Sequence, residues 1–168
     1  MIKAILACDS SGGVSKDGTM PWPKNSKDLK WFKSNTTQNV VVMGSTTWDD
    51  PFMPGPLPKR VNVLVTTREK DYPGAHKYIQ GELAKKIQAV DEENKNKVTW
   101  IIGGPNIINQ TLEIIDEFYL SRIPGNYNCD TFLPLKKIEQ IFEKTWTEDH
   151  VTVEFQIWKK RNNIETIS

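Results

Sequence analysis

Asp28 is the acidic residue of this chain whose neighbours best suit it for chemistry. It falls in the first turn of a predicted helix that Asn25 or Ser26 can cap. At helical spacing, Trp31 and Phe32 follow on the same face. Burial beside these rings would raise the pKa of the carboxyl group, whereas the helix N-terminus would lower it. Such a carboxylate could bind a cationic heterocycle or help to protonate one, but an acid in a first turn can also serve only the helix dipole.

A glycine-rich segment precedes this helix. Residues 10–18 contain three glycines and follow an apolar strand, and the run Met20-Pro21-Trp22-Pro23 connects them to the helix. This composition is typical of a shaped but mobile loop that closes over a ligand.

Two further glycine turns could bind phosphate. Gly44 and the pair Gly103-Gly104 each follow an apolar strand and precede a helix start, with Ser45 as a cap in one case and Pro105 as a first helical residue in the other. Unpaired amides there would face diphosphate oxygens at the carboxyl edge of a sheet. The alternative is that glycine only makes a tight turn between strand and helix.

Arg60 follows the sequence Pro-Leu-Pro-Lys. A guanidinium group matches a carboxylate with two parallel hydrogen bonds, and the prolines would hold the backbone in a defined path. Arg60 could also be an ordinary solvated loop residue, as we expect for Lys59.

Composition limits the class of protein. The 168 residues carry 22 basic and 21 acidic side chains, a net charge of +1, without the basic stripe typical of nucleic-acid binding. Cys8 and Cys129 are far apart in sequence, which favours buried free thiols in a reducing compartment. His76 and His150 have no ligand cluster beside them, and no apolar run is long enough to span a membrane. We expect a cytoplasmic, metal-free, single-domain protein over residues 1–168 that binds neither nucleic acid nor membrane.

Apolar runs of strand length alternate with helical patterns. The runs cover residues 2–8, 40–43, 61–66, 98–102 and 117–122, and the helical patterns cover 26–35, 81–90 and 105–115. This order predicts an α/β fold with a mostly parallel central sheet flanked by helices. Residues 144–147 and 151–160 flank a short turn and predict a C-terminal antiparallel hairpin, because Val151, Val153, Phe155 and Ile157 alternate with polar residues.

The motifs, taken in order, resemble those of the dihydrofolate reductase family. The resemblance includes the strand, loop and Met20-Pro21-Trp22 that lead to Asp28. It continues through NVVVMGSTTW at 39–48, GPLPKRVN at 55–62, TWIIGGPN at 99–106, FYLSRI at 118–123 and CDTFLP at 129–134. It therefore covers nearly all of the chain. By this resemblance the peptide between Gly103 and Gly104 is expected to be cis.

The resemblance implies NADPH-dependent reduction of 7,8-dihydrofolate to tetrahydrofolate, with hydride transferred to C6 and a proton to N5. In that reaction Asp28 would bind the pterin and control its protonation, Trp22 would help to hold a water, and Ser121 would orient the carboxylate; a serine bonded only to backbone is the alternative. Arg60 would bind the carboxylate of the glutamate tail. The apolar walls of the substrate site would be Ile5, Ala7, Leu29, Phe32 and Leu57, together with Phe52; plain core packing is the commoner fate of such residues.

The resemblance also implies a set of cofactor-binding residues. These are Ala7, Val14, Met20, Gly44, Ser45, Thr46, Thr47, Thr66, Thr67, Arg68, Ile102, Gly103, Gly104, Pro105, Asn106 and Ile107. The chain departs from many relatives where Ser45 or Thr46, and Asn106, replace basic residues near the 2′-phosphate. Arg68 is therefore expected to be the main cation of that subsite.

Two other interpretations remain from sequence. One is a related reductase of another pterin or pyrimidine substrate, such as that of riboflavin synthesis, which Trp22, Asp28, Phe32 and Arg60 together disfavour. The other is a non-enzymatic nucleotide-binding protein that keeps the fold. Because no heptad or apolar stripe is evident, we expect a monomer.

Overall fold

The computed structural model describes residues 1–51, 53–68 and 70–161. The strands are β1 (Ile2–Cys8), β2 (Gly13–Ser15), β3 (Val40–Gly44), β4 (Val61–Val65), β5 (Lys77–Ile79), β6 (Thr99–Gly103), β7 (Glu117–Arg122), β8 (Thr131–Phe132), β9 (Phe142–Asp149) and β10 (Glu154–Lys160). The α-helices are α1 (Ser26–Thr36), α2 (Ser45–Trp48), α3 (Leu83–Glu93), α4 (Pro105–Thr111) and α5 (Leu135–Ile141).

Eight of these strands form one sheet in the order β5-β4-β3-β6-β1-β7-β10-β9. The neighbours from β5 to β7 pair in parallel, whereas β10 pairs antiparallel with both β7 and β9. The predicted fold class, a mostly parallel sheet with a C-terminal antiparallel hairpin, is confirmed. A separate two-stranded pairing joins β2 to β8.

The central strands are apolar on both faces because helices cover both. On β3, Val40 and Val42 pack into one core cluster, and Val41 and Met43 pack into another. The first cluster also holds Ile87 of α3 and Ile108 of α4, and the second holds Phe32 of α1. Side chains of a strand alternate between faces, so a continuous apolar run requires cover on both sides.

Two predicted helices have different bounds in the structure. Residues 81–90 were expected to be helical, but α3 begins at Leu83 because Gly81 and Glu82 have positive φ angles of 70° and 47°. The helix extends to Glu93. The helix expected over 105–115 ends at Thr111 and continues as a 3-10 helix, Leu112–Ile114.

The hairpin is present, but its bounds differ from the prediction. Val151 was expected to begin the second strand, and instead lies in the turn with 94% of its surface exposed. His150 N–H donates to the carbonyl oxygen of Val153 at 2.9 Å, which closes this turn. The polar alternation also fails at Gln156, which is buried and accepts a hydrogen bond from Trp158 Nε1 at 3.0 Å.

Candidate functional site

A cavity of about 750 Å³ opens where the parallel strands end. The last residues of β3, β4 and β5, which are Gly44, Val65 and Ile79, line it. The residues predicted for the site that line this cavity are Ile5, Ala7, Val14, Met20, Asp28, Leu29, Phe32, Gly44, Ser45, Thr46, Thr47, Thr66, Thr67, Arg68, Ile102, Gly104, Pro105, Asn106 and Ile107. The carboxyl edge of an open α/β sheet is where such folds bind ligands.

Asp28 lines this cavity from the first turn of α1. Its N–H donates to the side-chain Oδ1 of Asn25 at 3.0 Å, so Asn25 is the N-cap. Leu29 and Phe32 line the cavity beside it. Burial raises the pKa of the Asp28 carboxyl group, and the neighbouring Ser121 opposes part of that shift. The site therefore holds a carboxyl group whose affinity for a proton is greater than in water.

Ser121 lies on β7, directly opposite Ala7 of β1 in the sheet. It is 1% exposed, and its Oγ has no hydrogen-bond partner of ordinary geometry among the described residues. The hydroxyl is thus close enough to influence Asp28 but is not in a well-formed hydrogen bond with it. An unpaired buried hydroxyl beside a carboxylate can become a donor after a small adjustment of either group.

Trp22 is buried just behind the cavity wall. It packs in a small core cluster with Tyr127, Ala7 and Met20, and its ring lies edge-on to Tyr127 with centroids 5.9 Å apart. Ala7 and Met20 line the cavity, but Trp22 does not. Trp22 therefore supports the cavity wall without forming its surface.

Arg60 lies in the loop before β4 and contacts Phe32, which lines the main cavity. Its guanidinium carbon lies 5.9 Å from the centre of the Phe32 ring, and its Nε is buried without a partner in the described chain. Burial lowers the pKa of this group. Arg60 and Leu57 line a second cavity of about 530 Å³ rather than the main one, although Leu57 packs in the same core cluster as Phe32.

Asn62 fixes the loop that carries Arg60, and sequence reasoning missed it. Its side chain accepts from Leu57 N–H at 2.9 Å and donates to the carbonyl oxygens of Leu57 and Arg60 at 2.9 and 3.1 Å. It is 1% exposed. A polar residue within the apolar run of β4 was the available signal, because buried polar groups are nearly always hydrogen-bonded.

The two glycine turns lie close to each other at the cavity. A side-chain carbon at Gly44 would lie 2.9 Å from Ile107 Cδ1 and 3.9 Å from the carbonyl oxygen of Gly103, so any larger residue there would displace the Ile107 side chain. The peptide between Gly103 and Gly104 is cis, as predicted. Neither Gly44 nor Gly104 provides a side-chain cap to the helix that follows, which leaves backbone amides available to an anion.

Arg68 is the only Lys or Arg among the described residues that line the cavity. Its N–H donates to Thr66 Oγ1 at 3.0 Å, which shapes the turn after β4. Its guanidinium group lies 3.7 Å from the carboxylate of Asp49, and both side chains are about half exposed. This ion pair could not be foreseen from the sequence.

The structure adds other residues to the cavity that the sequence analysis did not assign. They are Leu6, Ser15, Gly18, Asp50, Met53, Val65, Ile79, Gln80, Gly81, Leu83, Gln110 and Thr131. Asp50 accepts a hydrogen bond from Thr19 Oγ1 at 3.0 Å, which joins the glycine-rich loop to the end of α2. Of the remaining predicted residues, Gly103 is behind the wall, and Phe52 lies outside the described residues.

Within the ranges that the structure describes, no group of His, Cys, Asp and Glu is placed to hold a metal ion. Over those same residues no helix is both long and apolar enough to cross a membrane.

Comparison with known proteins gives one consistent family. The family model described as "Dihydrofolate reductase" matches residues 1–161. A viral dihydrofolate reductase of Saimiriine herpesvirus 2 (strain 488) is 30% identical over 182 aligned positions, covering 95% of this chain and 85% of the relative. The dihydrofolate reductase of Gallus gallus is 29% identical, covering 95% and 96%. Dihydrofolate reductase type 8 of Escherichia coli is 26% identical, covering 98% of each.

A solved structure shares the fold. It is the dihydrofolate reductase from Enterococcus faecalis complexed with NADP(H) and RAB-propyl, with a TM-score of 0.80 and 23% identity. The match covers 96% of this chain and 97% of the other.

Proposed function

The chain belongs to the dihydrofolate reductase family, and we propose that it works through one cleft, in which Asp28 binds the pterin and the glycine turns bind NADPH. It is an enzyme, and it reduces 7,8-dihydrofolate to tetrahydrofolate with NADPH. The observation that supports the residue assignment is the meeting of a desolvated carboxyl group and two glycine turns on a single cavity.

The cavity fits NADPH in size and in chemistry. Its volume of about 750 Å³ lies within the range of roughly 300–1,000 Å³ typical of ligand pockets. Backbone amides follow Gly44 and Gly104, where diphosphate oxygens could bind. Bound there, NADPH supplies the hydride, while the protein positions ring against ring.

Asp28 would act on the pterin. Its ionised carboxylate accepts hydrogen bonds from the 2-amino group and N3, which holds the ring against Leu29 and Phe32. Because burial raises its pKa, the carboxyl group takes up a proton more readily than an exposed aspartate does, which favours protonation at N5 through water. Ser121 would orient the carboxylate, and Trp22 would hold that water from behind Ala7 and Met20.

Arg60 would bind the glutamate tail of the substrate. Its Nε is buried without a partner, so a carboxylate that reaches it would satisfy a donor that is already desolvated. The contact with Phe32 connects this site to the wall beside Asp28. Arg60 and Asp28 therefore bind opposite ends of one extended substrate in this proposal.

We further propose that the whole chain, residues 1–168, acts as one domain and as a monomer in the cytoplasm, without a nucleic-acid partner. Support comes from the balanced charge and from the buried free thiols, Cys8 and Cys129. Burial raises the pKa of these thiols to about 12 and about 11, which keeps them protonated and unreactive at neutral pH.

One kinetic experiment tests the function against its alternatives. NADPH oxidation is followed by absorbance with dihydrofolate, with a pyrimidine substrate of the riboflavin type, and with neither. We expect oxidation with dihydrofolate alone. Oxidation with the pyrimidine, or with no substrate at all, would contradict the proposal.

A further inference from the structure

Asp9 is a fully buried carboxylate directly after β1 that the chemistry above does not use. Its Oδ1 accepts from the N–H groups of Ser11 at 2.9 Å and Gly13 at 2.8 Å. Its Oδ2 accepts from Tyr127 N–H at 3.0 Å and lies 3.6 Å from Cys129 Sγ. In the described part of the chain it forms no salt bridge. Three backbone amides, together with the Cys129 thiol, therefore compensate for the burial of this side chain.

Those amides keep Asp9 ionised. Burial acts to raise the pKa of the carboxyl group, but the hydrogen bonds from Tyr127, Gly13 and Ser11 outweigh it and hold the pKa below its ordinary value. A carboxylate has two oxygens that accept only, which suits three donors from separate segments. An asparagine side chain at this position would replace one of the two acceptor oxygens with an NH2 group, which is a donor and cannot accept from these N–H groups.

The segments joined at Asp9 lead directly to the cleft. Residues 10–13 lead into β2, where Val14 and Ser15 line the main cavity. Residues 125–130 lead into β8, where Thr131 lines it. The same two segments are joined by the Asp9 carboxylate and, further along the chain, by the pairing of β2 with β8.

The two segments are packed too closely for a side chain between them. A carbon added at Gly13 would lie 2.5 Å from Cys129 Cβ and 3.1 Å from Asp9 Oδ1. Ser10 N–H also donates to the carbonyl oxygen of Gly125 at 2.9 Å. Residues 10–13 are therefore held against residues 125–129, and the Asp9 carboxylate lies where the two segments meet.

We propose that Asp9 is a positioning residue for NADPH binding. Its carboxylate holds the wall formed by Val14, Ser15 and Thr131 in place before the cofactor arrives. This inference rests on the proposed function of the cleft. A wall that is already ordered loses less conformational entropy when the cofactor binds. We therefore expect the loss of the Asp9 carboxylate to lower the affinity for NADPH and not to change the chemistry at Asp28.

The main test is Asp9→Asn, measured by equilibrium titration with NADPH and with dihydrofolate separately. The amide has a single acceptor oxygen, so at least one of the three N–H groups, those of Ser11, Gly13 and Tyr127, loses its acceptor. We expect NADPH affinity to fall by up to roughly 100-fold, the limit reached if the whole cost of the unpaired N–H group falls on the NADPH-bound state. Dihydrofolate affinity should change far less, and in steady state the KM for NADPH should rise more than kcat falls.

Two control variants separate positioning from general stability. Asp116→Asn removes another carboxylate that holds an amide, since Asp116 Oδ2 accepts from Ile2 N–H at 3.0 Å at the opposite end of β1. Ile87→Val trims a fully buried side chain of α3 that does not line the main cavity. Both should keep the wild-type affinity for NADPH. If Asp9→Asn also keeps it, or weakens both ligands equally, the inference is wrong.

A measurement on the wild-type enzyme keeps the inference testable if Asp9→Asn does not fold. Amide hydrogen exchange at Gly13 and Tyr127 should slow together when NADPH binds, because one carboxylate holds both amides. Independent exchange, or exchange that NADPH does not change, would overturn the inference. Turnover of dihydrofolate by the same preparation tests the proposed function separately, so the two failures are distinguishable.

Discussion

Replacing Arg68 with alanine should lower the preference for NADPH over NADH. Arg68 is the only Lys or Arg that lines the described cavity, next to the hydroxyls of Thr66 and Thr67. The 2′-phosphate distinguishes the two cofactors, so a group that binds it affects NADPH alone. We expect NADH affinity to be unchanged in this variant.

The exposure of Arg68 sets the size of the effect. A hydrogen bond to a charged group contributes about 1.5–3 kcal/mol. The side chain is 56% exposed and is already paired with Asp49 at 3.7 Å, so solvent screening and competition both reduce its contribution to phosphate binding. The low end applies, about 1.5 kcal/mol, or roughly a ten-fold weaker affinity for NADPH.

Equilibrium titration of both cofactors against both proteins measures this ratio, at low and at high salt. The difference between wild type and variant should shrink at high salt, because an exposed charge is screened. Lys95→Ala is the matched control, since it also removes an exposed cation from an ion pair, with Glu92 at 3.4 Å. An unchanged NADPH/NADH affinity ratio in Arg68→Ala would show that the phosphate is bound elsewhere.

Three further variants test the substrate end, the stability cost of the site and the glycine turns. Arg60→Leu should weaken dihydrofolate binding by roughly 2–4 kcal/mol, as for loss of one partner of a desolvated charge pair; a pterin without the glutamate tail should bind as before, and equal losses would refute the role. Asp28→Asn should raise the Tm of the ligand-free protein at neutral pH. The pKa of Asp28 is raised in the folded protein, so ionising this carboxyl group lowers the free energy of unfolding. This loss of stability is absent below the pKa of the unfolded state and develops as the pH rises through the pKa of the folded state. A lower Tm for the variant than for wild type near pH 7 would contradict this prediction. Gly44→Ala should weaken NADPH binding with little change in Tm, because the new carbon would lie 2.9 Å from Ile107 Cδ1, the movable end of a side chain that lines the cavity; an NADPH titration showing wild-type affinity would refute this.

The features that local sequence dictates could be predicted. Asn25 caps α1 and places Asp28 in its first turn through contacts within three residues. Gly44 and the Gly103-Gly104 pair follow apolar strands, so their position at the sheet edge followed from the pattern of strands and helices. The cis peptide between the paired glycines was predicted from the family resemblance and is confirmed.

The features that depend on long-range contacts could not be predicted. Asp9 and Tyr127 are 118 positions apart, and only the folded sheet brings them together. Likewise Asp49 meets Arg68 across elements whose relative placement the pattern does not specify. The positive φ angles at the start of α3 were also missed, since a glutamate rarely adopts them.

The central claim is that an ionised Asp28 organises both the pterin and its proton supply. The most direct measurement is the rate of the hydride-transfer step with NADPH and dihydrofolate, by rapid mixing, for wild type and Asp28→Asn from acidic to neutral pH. We predict a severe loss at neutral pH and a partial recovery at low pH, where the substrate is protonated in solution, with NADPH affinity unchanged. Wild-type rates for Asp28→Asn at neutral pH would contradict the account.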